Sequence, residues 1–286
     1  MSGDARLTAR VAASARPGGS DSRARRRLAF NSMTADRWPL AEVIDACAEH
    51  GIEWIGPWRH KLAELGVEEA RRRIDAAGLK VSSLCRGGFF AADGADEDNR
   101  RAVEEAAALG TDALVLVCGP PPTKDLAAAR ALIEAGIERL LPHANEHGVR
   151  LGIEPLHPMM IGERSAINTL ASALDIAERI GEPGVGVVID VYHTFWDPAL
   201  PEQVARAAGR IVGYHVNDWL AATKDTVFER GMMGDGIIDL PAFSALIDAA
   251  GYDGPIEVEI LNPAIWDFPR EALMRTTVER FERCVF

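Results

Sequence analysis

Residues 170–193 read LASALDIAERIGEPGVGVVIDVYH, and two different periods lie side by side in them. Apolar side chains recur every three or four positions over 170–180, the pattern of a helix with one buried face. Gly181 closes that helix, and 186–190, GVVID, is a short β-branched run that reads as a strand. The same beat runs outward in both directions. Strands are expected over 28–32, 53–56, 80–85, 113–118, 150–154, 186–190, 211–215 and 256–260. The helices between them are expected over 40–50, 67–77, 98–109, 126–147, 170–180, 201–208, 241–250 and 269–284. Eight such units in the 259 residues from Leu28 average about 32 residues each, which suits eight right-handed parallel crossovers closing into a (β/α)8 barrel. A doubly wound nucleotide-binding sheet would need a Gly-rich turn after an early strand, and neither GxGxxG nor GxxxxGK[ST] occurs.

Composition agrees with one large folded body. Of 286 residues, 48% are hydrophobic and 26% charged, which excludes disorder throughout and fibrous repeats. No apolar run approaches the ~20 residues of a membrane-spanning helix, so a soluble protein with no membrane partner is expected. Residues 1–27 carry seven Arg against two Asp and lack an apolar signal core, and they read as a disordered basic extension outside a catalytic domain of 28–286. The remainder holds 24 basic and 41 acidic residues, a net of −17, which argues against a nucleic-acid partner. The four cysteines are scattered with no CxxC, the usage of reduced thiols in a cytoplasm.

Four late strands each end on an ionisable residue: Glu154 in LGIEPLHP, Asp190 in VGVVIDVYH, His215 in IVGYHVND and Glu259 in GPIEVEI. In a barrel all four stand at the C-terminal rim, where active sites of this architecture sit. Alternation puts Leu151, Ile153, Val187, Ile189, Val212, Tyr214, Ile256 and Val258 toward the helices, so the polar set points inward. Gly152 and Gly213 share that inward face and leave room. Three carboxylates and an imidazole converging on one point repel one another unless a cation lies between them. An oxygen-rich set with one nitrogen and no thiolate favours Mn²⁺, with Mg²⁺ or Co²⁺ as alternatives. Three carboxylates and one dication sum to about −1, which suits a neutral polyol or keto-sugar. Glu257, two residues deeper on the same face, is the reserve ligand.

The order Glu, Asp-x-x-His, His-x-x-Asp, Glu, with IEPLHP, VVIDVYH, GYHVND, GDGIIDL and GYDGPIEVEI, resembles the xylose-isomerase-like sugar phosphate isomerase/epimerase family from Leu28 onward. That family includes D-tagatose 3-epimerase, hydroxypyruvate isomerase and inosose dehydratase relatives. The resemblance implies that Glu154, Asp190, His215 and Glu259 bind one divalent metal, that Glu154 and Glu259 are the acid/base pair, and that His193 contacts a substrate oxygen. Where the epimerases place a further substrate-contacting Glu, this chain has His157, Pro158, Met159 and Met160, so His157 is a candidate replacement.

Further candidates surround this set. Trp58, Trp196 and Trp219 follow the second, sixth and seventh strands, Phe89 and Phe90 follow the third, and such rings pack well on sugar C–H faces. Arg86 ends the third strand and could bind a substrate oxygen or phosphate, or pair with a rim carboxylate. Asp239 is expected to cap the next helix and Asp235 to shape a rim loop. The leading expectation is a metal-dependent isomerase or epimerase acting through an enediolate, in a small-molecule partnership compatible with a homo-oligomer. A lyase on the same site, a dehydratase or deglycosylating enzyme, is the alternative. A DNA-repair endonuclease of the same fold is disfavoured by seven His and the acidic body.

Overall fold

The computed structural model describes residues 22–286. The strands are β1 (Leu28–Asn31), β2 (Trp54–Gly56), β3 (Lys80–Val81), β4 (Leu84–Gly88), β5 (Ala113–Val117), β6 (Arg150–Ile153), β7 (Val185–Asp190), β8 (Ile211–Val216), β9 (Asp218–Trp219), β10 (Arg230–Gly231) and β11 (Ile256–Val258). Nine of them form one parallel sheet ordered β3-β2-β1-β11-β8-β7-β6-β5-β4. The sheet's two ends are the halves of a single interrupted strand: β3 pairs with β2, β4 pairs with β5, and a Trp58–Cys85 bridge joins β4 to the chain beyond β2. The barrel therefore closes, with the third of its eight strands split at Ser82–Ser83.

Every expected strand and helix is present. Helices Leu40–Glu49, Val67–Ala76, Ala95–Leu109, Leu126–Glu146, Leu170–Ile180, Leu200–Arg206, Leu240–Ala249 and Arg270–Cys284 wrap the outside. Thr169 and Ser172 form a reciprocal cap on the helix of the opening stretch, and Gly181 ends it at φ +73°, a left-handed turn that glycine adopts without strain. Short helices at Arg59–Leu65, Val191–Thr194 and Pro263–Trp266 carry no amphipathic period long enough to read beforehand. The main core lies between sheet and helices and contains Leu151, Ile153, Val187, Ile189, Tyr214, Ile256 and Val258, as the alternation requires.

Val212 corrects that pattern. The register between β7 and β8 slips by one residue around it, so Val212 turns inward and packs with Cys85, Ala113, Val115 and Val188 in the barrel's interior. Gly152 and Gly186 make this fit: a Cβ on Gly152 would lie 2.7 Å from Val188 and 3.2 Å from Val212, and one on Gly186 would lie 2.7 Å from Val212. Phe90 joins the main core between sheet and helices, while Phe89 packs at the rim with Val117, Leu156, Met160 and Tyr192.

The N-terminal boundary also moves. Residues Ser22–Arg27 form a helix, and Arg25 donates to Glu282 Oε1 at 3.0 Å and to the His50 carbonyl at 2.7 Å. Arg27 is buried, with bonds to Asp248 Oδ1 (2.7 Å), the Gly254 carbonyl (2.9 Å) and the Tyr252 carbonyl (3.0 Å). These arginines find acceptors left at loop ends, which composition alone does not reveal. The expectation of disorder for 1–21 lies outside the described residues. Among the described residues no helix is long and apolar enough to cross a membrane.

Candidate active site

The barrel's register builds a ring. β6 pairs with β7 so that Glu154 falls level with Val188, two residues short of Asp190. Asp190 is level with His215, and His215 with Glu257, two residues short of Glu259. Around these three steps the set climbs two residues, none, then two, which is about one residue per strand, the stagger of a (β/α)8 barrel whose shear of 8 is spread over eight strands. Residues at one height in space are therefore not at one height in the pairing, and Glu259 joins the ring while Glu257 sits beneath it.

Glu154, Asp190, His215 and Glu259 each offer a donor atom, all within 4.8 Å of one another, and all four side chains are buried. His215 Nδ1 faces Glu154 Oε1 at 3.4 Å and Glu259 Oε2 at 3.8 Å, while Nε2 faces Glu257 Oε1 at 3.8 Å. Glu154 Oε1 and both His215 nitrogens are buried without a hydrogen-bond partner among the described residues. An unpaired Glu154 oxygen beside an unpaired His215 nitrogen, with the Asp190 and Glu259 carboxylates in reach, fits a bound cation, and the O₃N set fits a hard or borderline divalent ion. Glu257 is anchored by Ser83 Oγ (2.6 Å) and Asn31 Nδ2 (2.9 Å), and Gly56 opposite leaves it space, since a Cβ there would lie 2.2 Å from its Oε2. A second cluster, Glu104, His143 and His147, lies on the outer helices away from the ring.

Electrostatics reflect this crowding. Burial and the charges of Glu259 and Asp190 push the Glu154 carboxyl up to about 7, against the pull of His215. Burial favours neutral His215, yet Glu257, Glu154 and Glu259 around it push its pKa up to about 10. Burial drives His193 down to about 3, so its imidazole is neutral near pH 7.

The sequence reading missed Arg230. It is buried at the end of an excursion from the seventh barrel strand, where β10 pairs antiparallel with β9 and aims it back into the mouth. Nη1 donates to Asp190 Oδ2 at 2.8 Å and Glu259 Oε2 at 2.9 Å, and the guanidinium lies 4.9 Å from the Tyr192 ring centroid. Nothing local in the sequence distinguishes this arginine from others in the chain. Asn217, and Asp218 of the His-x-x-Asp motif, had no role assigned: Asn217 Nδ2 donates to Asp190 Oδ1 at 3.0 Å, and Asp218 accepts from the Gly234, Gly236 and Ile238 N–H groups, tying down the loop. Asp239 caps its helix as expected, and Asp235 pairs with Arg280 at 2.9 Å.

A cavity of about 420 Å³, including its open mouth, stands over the ring. Of the expected residues, Glu154, Glu259, His193, Arg86 and Trp58 line it, together with Arg164, Met160, Leu156 and Arg230. Trp58 Nε1 and Asn31 Nδ2 both donate to Glu259 Oε1 at 3.1 Å. His157, Trp196 and Trp219 are not among the lining residues; they form an aromatic stack, with His157 4.9 Å from Trp219 and 5.8 Å from Trp196 between ring centroids. The His157 backbone nitrogen lies 3.2 Å from His193 Nδ1. Arg230 Nη2 lies 3.2 Å from Nε2, and since a neutral imidazole has one acceptor nitrogen, His193 accepts either from the His157 N–H or from the guanidinium, according to its tautomer.

The sequence family described as xylose isomerase-like TIM barrel matches residues 44–284. Inosose isomerase of Bacillus velezensis is 25% identical over 294 residues, covering 91% of this chain and 97% of that protein. 3-Dehydroshikimate dehydratase of Pseudomonas putida is 30% identical over 236 residues, covering 78% of this chain and 36% of that longer protein. A crystal structure of a Sinorhizobium meliloti protein is 48% identical and superposes with a TM-score of 0.87 over 90% of this chain and 98% of that one.

Proposed function

This chain belongs to the xylose isomerase-like TIM barrel family, and on that premise we propose that it is a divalent-metal-dependent isomerase or epimerase of a sugar, keto-sugar or related polyol. The observation that carries the reading is the buried convergence of Glu154, Asp190, His215 and Glu259, two of which, Glu154 and Glu259, line a rim cavity. These four side chains would hold the cation, with Mn²⁺ favoured by the donor set. A bound cation supplies Lewis-acid polarisation of a substrate carbonyl and its neighbouring hydroxyl.

The chain's own residues do the rest. Glu154 lines the cavity beside the other ring carboxylates, placed to take up or give a proton as a general acid/base needs. Glu259 is oriented by Trp58, Asn31 and Arg230, so its carboxylate is presented in one fixed pose. As an opposed pair, one removes the proton α to the carbonyl and the other returns a proton from the far face. Neutral His193 sits between the His157 N–H and the Arg230 guanidinium, each 3.2 Å from one of its ring nitrogens, and His193 and Arg230 both line the cavity, where a substrate oxygen can reach them. The aromatic stack behind His193 keeps that edge in place.

Turnover of candidate ketoses in heavy water tests the reading. Deuterium should enter the carbon next to the carbonyl, and Glu154→Gln or Glu259→Gln should each lose most activity while keeping part of the metal. A product of unchanged mass that carries no deuterium would refute the enediolate route. The likeness to a dehydratase over 78% of the chain supports a second reading, elimination from the same intermediate. Product mass separates the two, since only elimination loses a fragment.

A further inference from the structure

Arginines near the cavity divide into two kinds. Arg59 is committed to Asp98 and Glu105, and Arg230 to Asp190 and Glu259. Arg86 and Arg164 line the cavity wall, and among the described residues neither guanidinium makes a hydrogen bond or lies within 4.0 Å of a carboxylate. Both are nevertheless held. The Arg86 guanidinium stacks 4.0 Å from the Phe89 ring centroid, while Asp98, a carboxylate in its neighbourhood, is engaged by Arg59. The Arg164 backbone is pinned on both sides: its carbonyl accepts from the Gly119 N–H and its N–H donates to the Met160 carbonyl, each at 2.9 Å. Burial, with repulsion from Arg164 and Arg59, lowers the Arg86 pKa, so the two charges feel each other across the wall.

The charge balance then has a direction. Three ring carboxylates are neutralised by one dication together with Arg230, which revises the −1 expected from the sequence. Arg86 and Arg164 remain as two positive charges that, among the described residues, have no carboxylate within 4.0 Å, the nearby Asp98 being engaged by Arg59. Guanidinium forks match carboxylate and phosphate oxygens. We propose that the substrate carries an anionic group, a carboxylate or a phosphate, which Arg86 and Arg164 bind while the polyol end reaches the ring; this rests on the isomerase reading above and narrows its substrate class.

Calorimetric titration tests it with two matched pairs of probes: D-ribulose 5-phosphate against D-ribulose, and shikimate against its methyl ester. In the metal-loaded protein, at least one anionic probe should bind about tenfold or more tighter than its neutral partner. That margin should fall to about twofold or less in Arg86→Met/Arg164→Met, with the neutral probe's affinity little changed, and Arg86→Lys should retain part of it. The pair that carries the margin identifies phosphate or carboxylate. Anionic probes that bind no tighter than their neutral partners, or a margin that survives in the double variant, would overturn the proposal. Chelation of the metal tests the underlying reading separately. If D-ribulose affinity is indifferent to metal, the isomerase reading falls, while the anionic-to-neutral ratio still decides the arginine pair.

Discussion

Replacing Arg230 with methionine should destabilise the metal-free protein and tighten its hold on metal. Arg230 is 5% exposed and one guanidinium nitrogen serves two buried carboxylates, Asp190 Oδ2 at 2.8 Å and Glu259 Oε2 at 2.9 Å. Removing one partner from a buried ion pair costs about 3–5 kcal/mol, because the other charge is left uncompensated. Protonation of a neighbouring carboxyl offsets part of this, since Glu154 already sits at about 7. At roughly 2–4 °C per kcal/mol for a domain of this size, Tm should drop on the order of 10 °C. The metal effect has the opposite sign. Arg230 is a fixed cation beside two donor carboxylates, and losing its repulsion should raise Mn²⁺ affinity about tenfold or more at an effective dielectric near 20. Saturating Mn²⁺ should then restore much of the lost stability, since about 4 kcal/mol is gained at a thousandfold excess over Kd. Thermal unfolding of chelated and Mn²⁺-loaded wild type and variant, with calorimetric titration of the metal, measures both effects. A chelated variant that melts with the wild type, or one that binds Mn²⁺ more weakly, would refute the reasoning.

Three further outcomes are expected. His215→Ala should lose its metal by elemental analysis, since it removes the ring's one nitrogen; unchanged stoichiometry would reject the ligand set. Metal affinity should rise with pH from 6 to 8, because His215 stays protonated in the free site below about 10 and Glu154 below about 7, so binding must expel those protons. Titrations in buffers of different ionisation enthalpy should show between about one and two protons released near pH 7, whereas zero release would contradict the geometry. Arg27→Ala should cost about 1–3 kcal/mol by stranding Asp248 and two carbonyls, read as a lower midpoint in urea with little change in activity.

What could be read in the chain was whatever depends on neighbours along it. The change from a helical period at 170–180 to a β-branched run at 186–190 marks one crossover, and eight repetitions of it specify the barrel. Alternation within a strand places Glu154, Asp190, His215 and Glu259 inward, and parallel strands all end at one rim, so convergence followed without coordinates. The same argument went wrong at Val212, because a one-residue slip between two strands inverts a side chain and is invisible in either strand alone. It also could not separate Glu257 from Glu259, which share a face; the stagger accumulated around the closed barrel decides that. Arg230, Arg25 and Arg27 find their partners across gaps of 25 to 257 residues, and the cavity's charge balance turns on such pairings. Periodicity is a local property of the chain, whereas shear and long-range charge pairing exist only once the sheet has closed on itself.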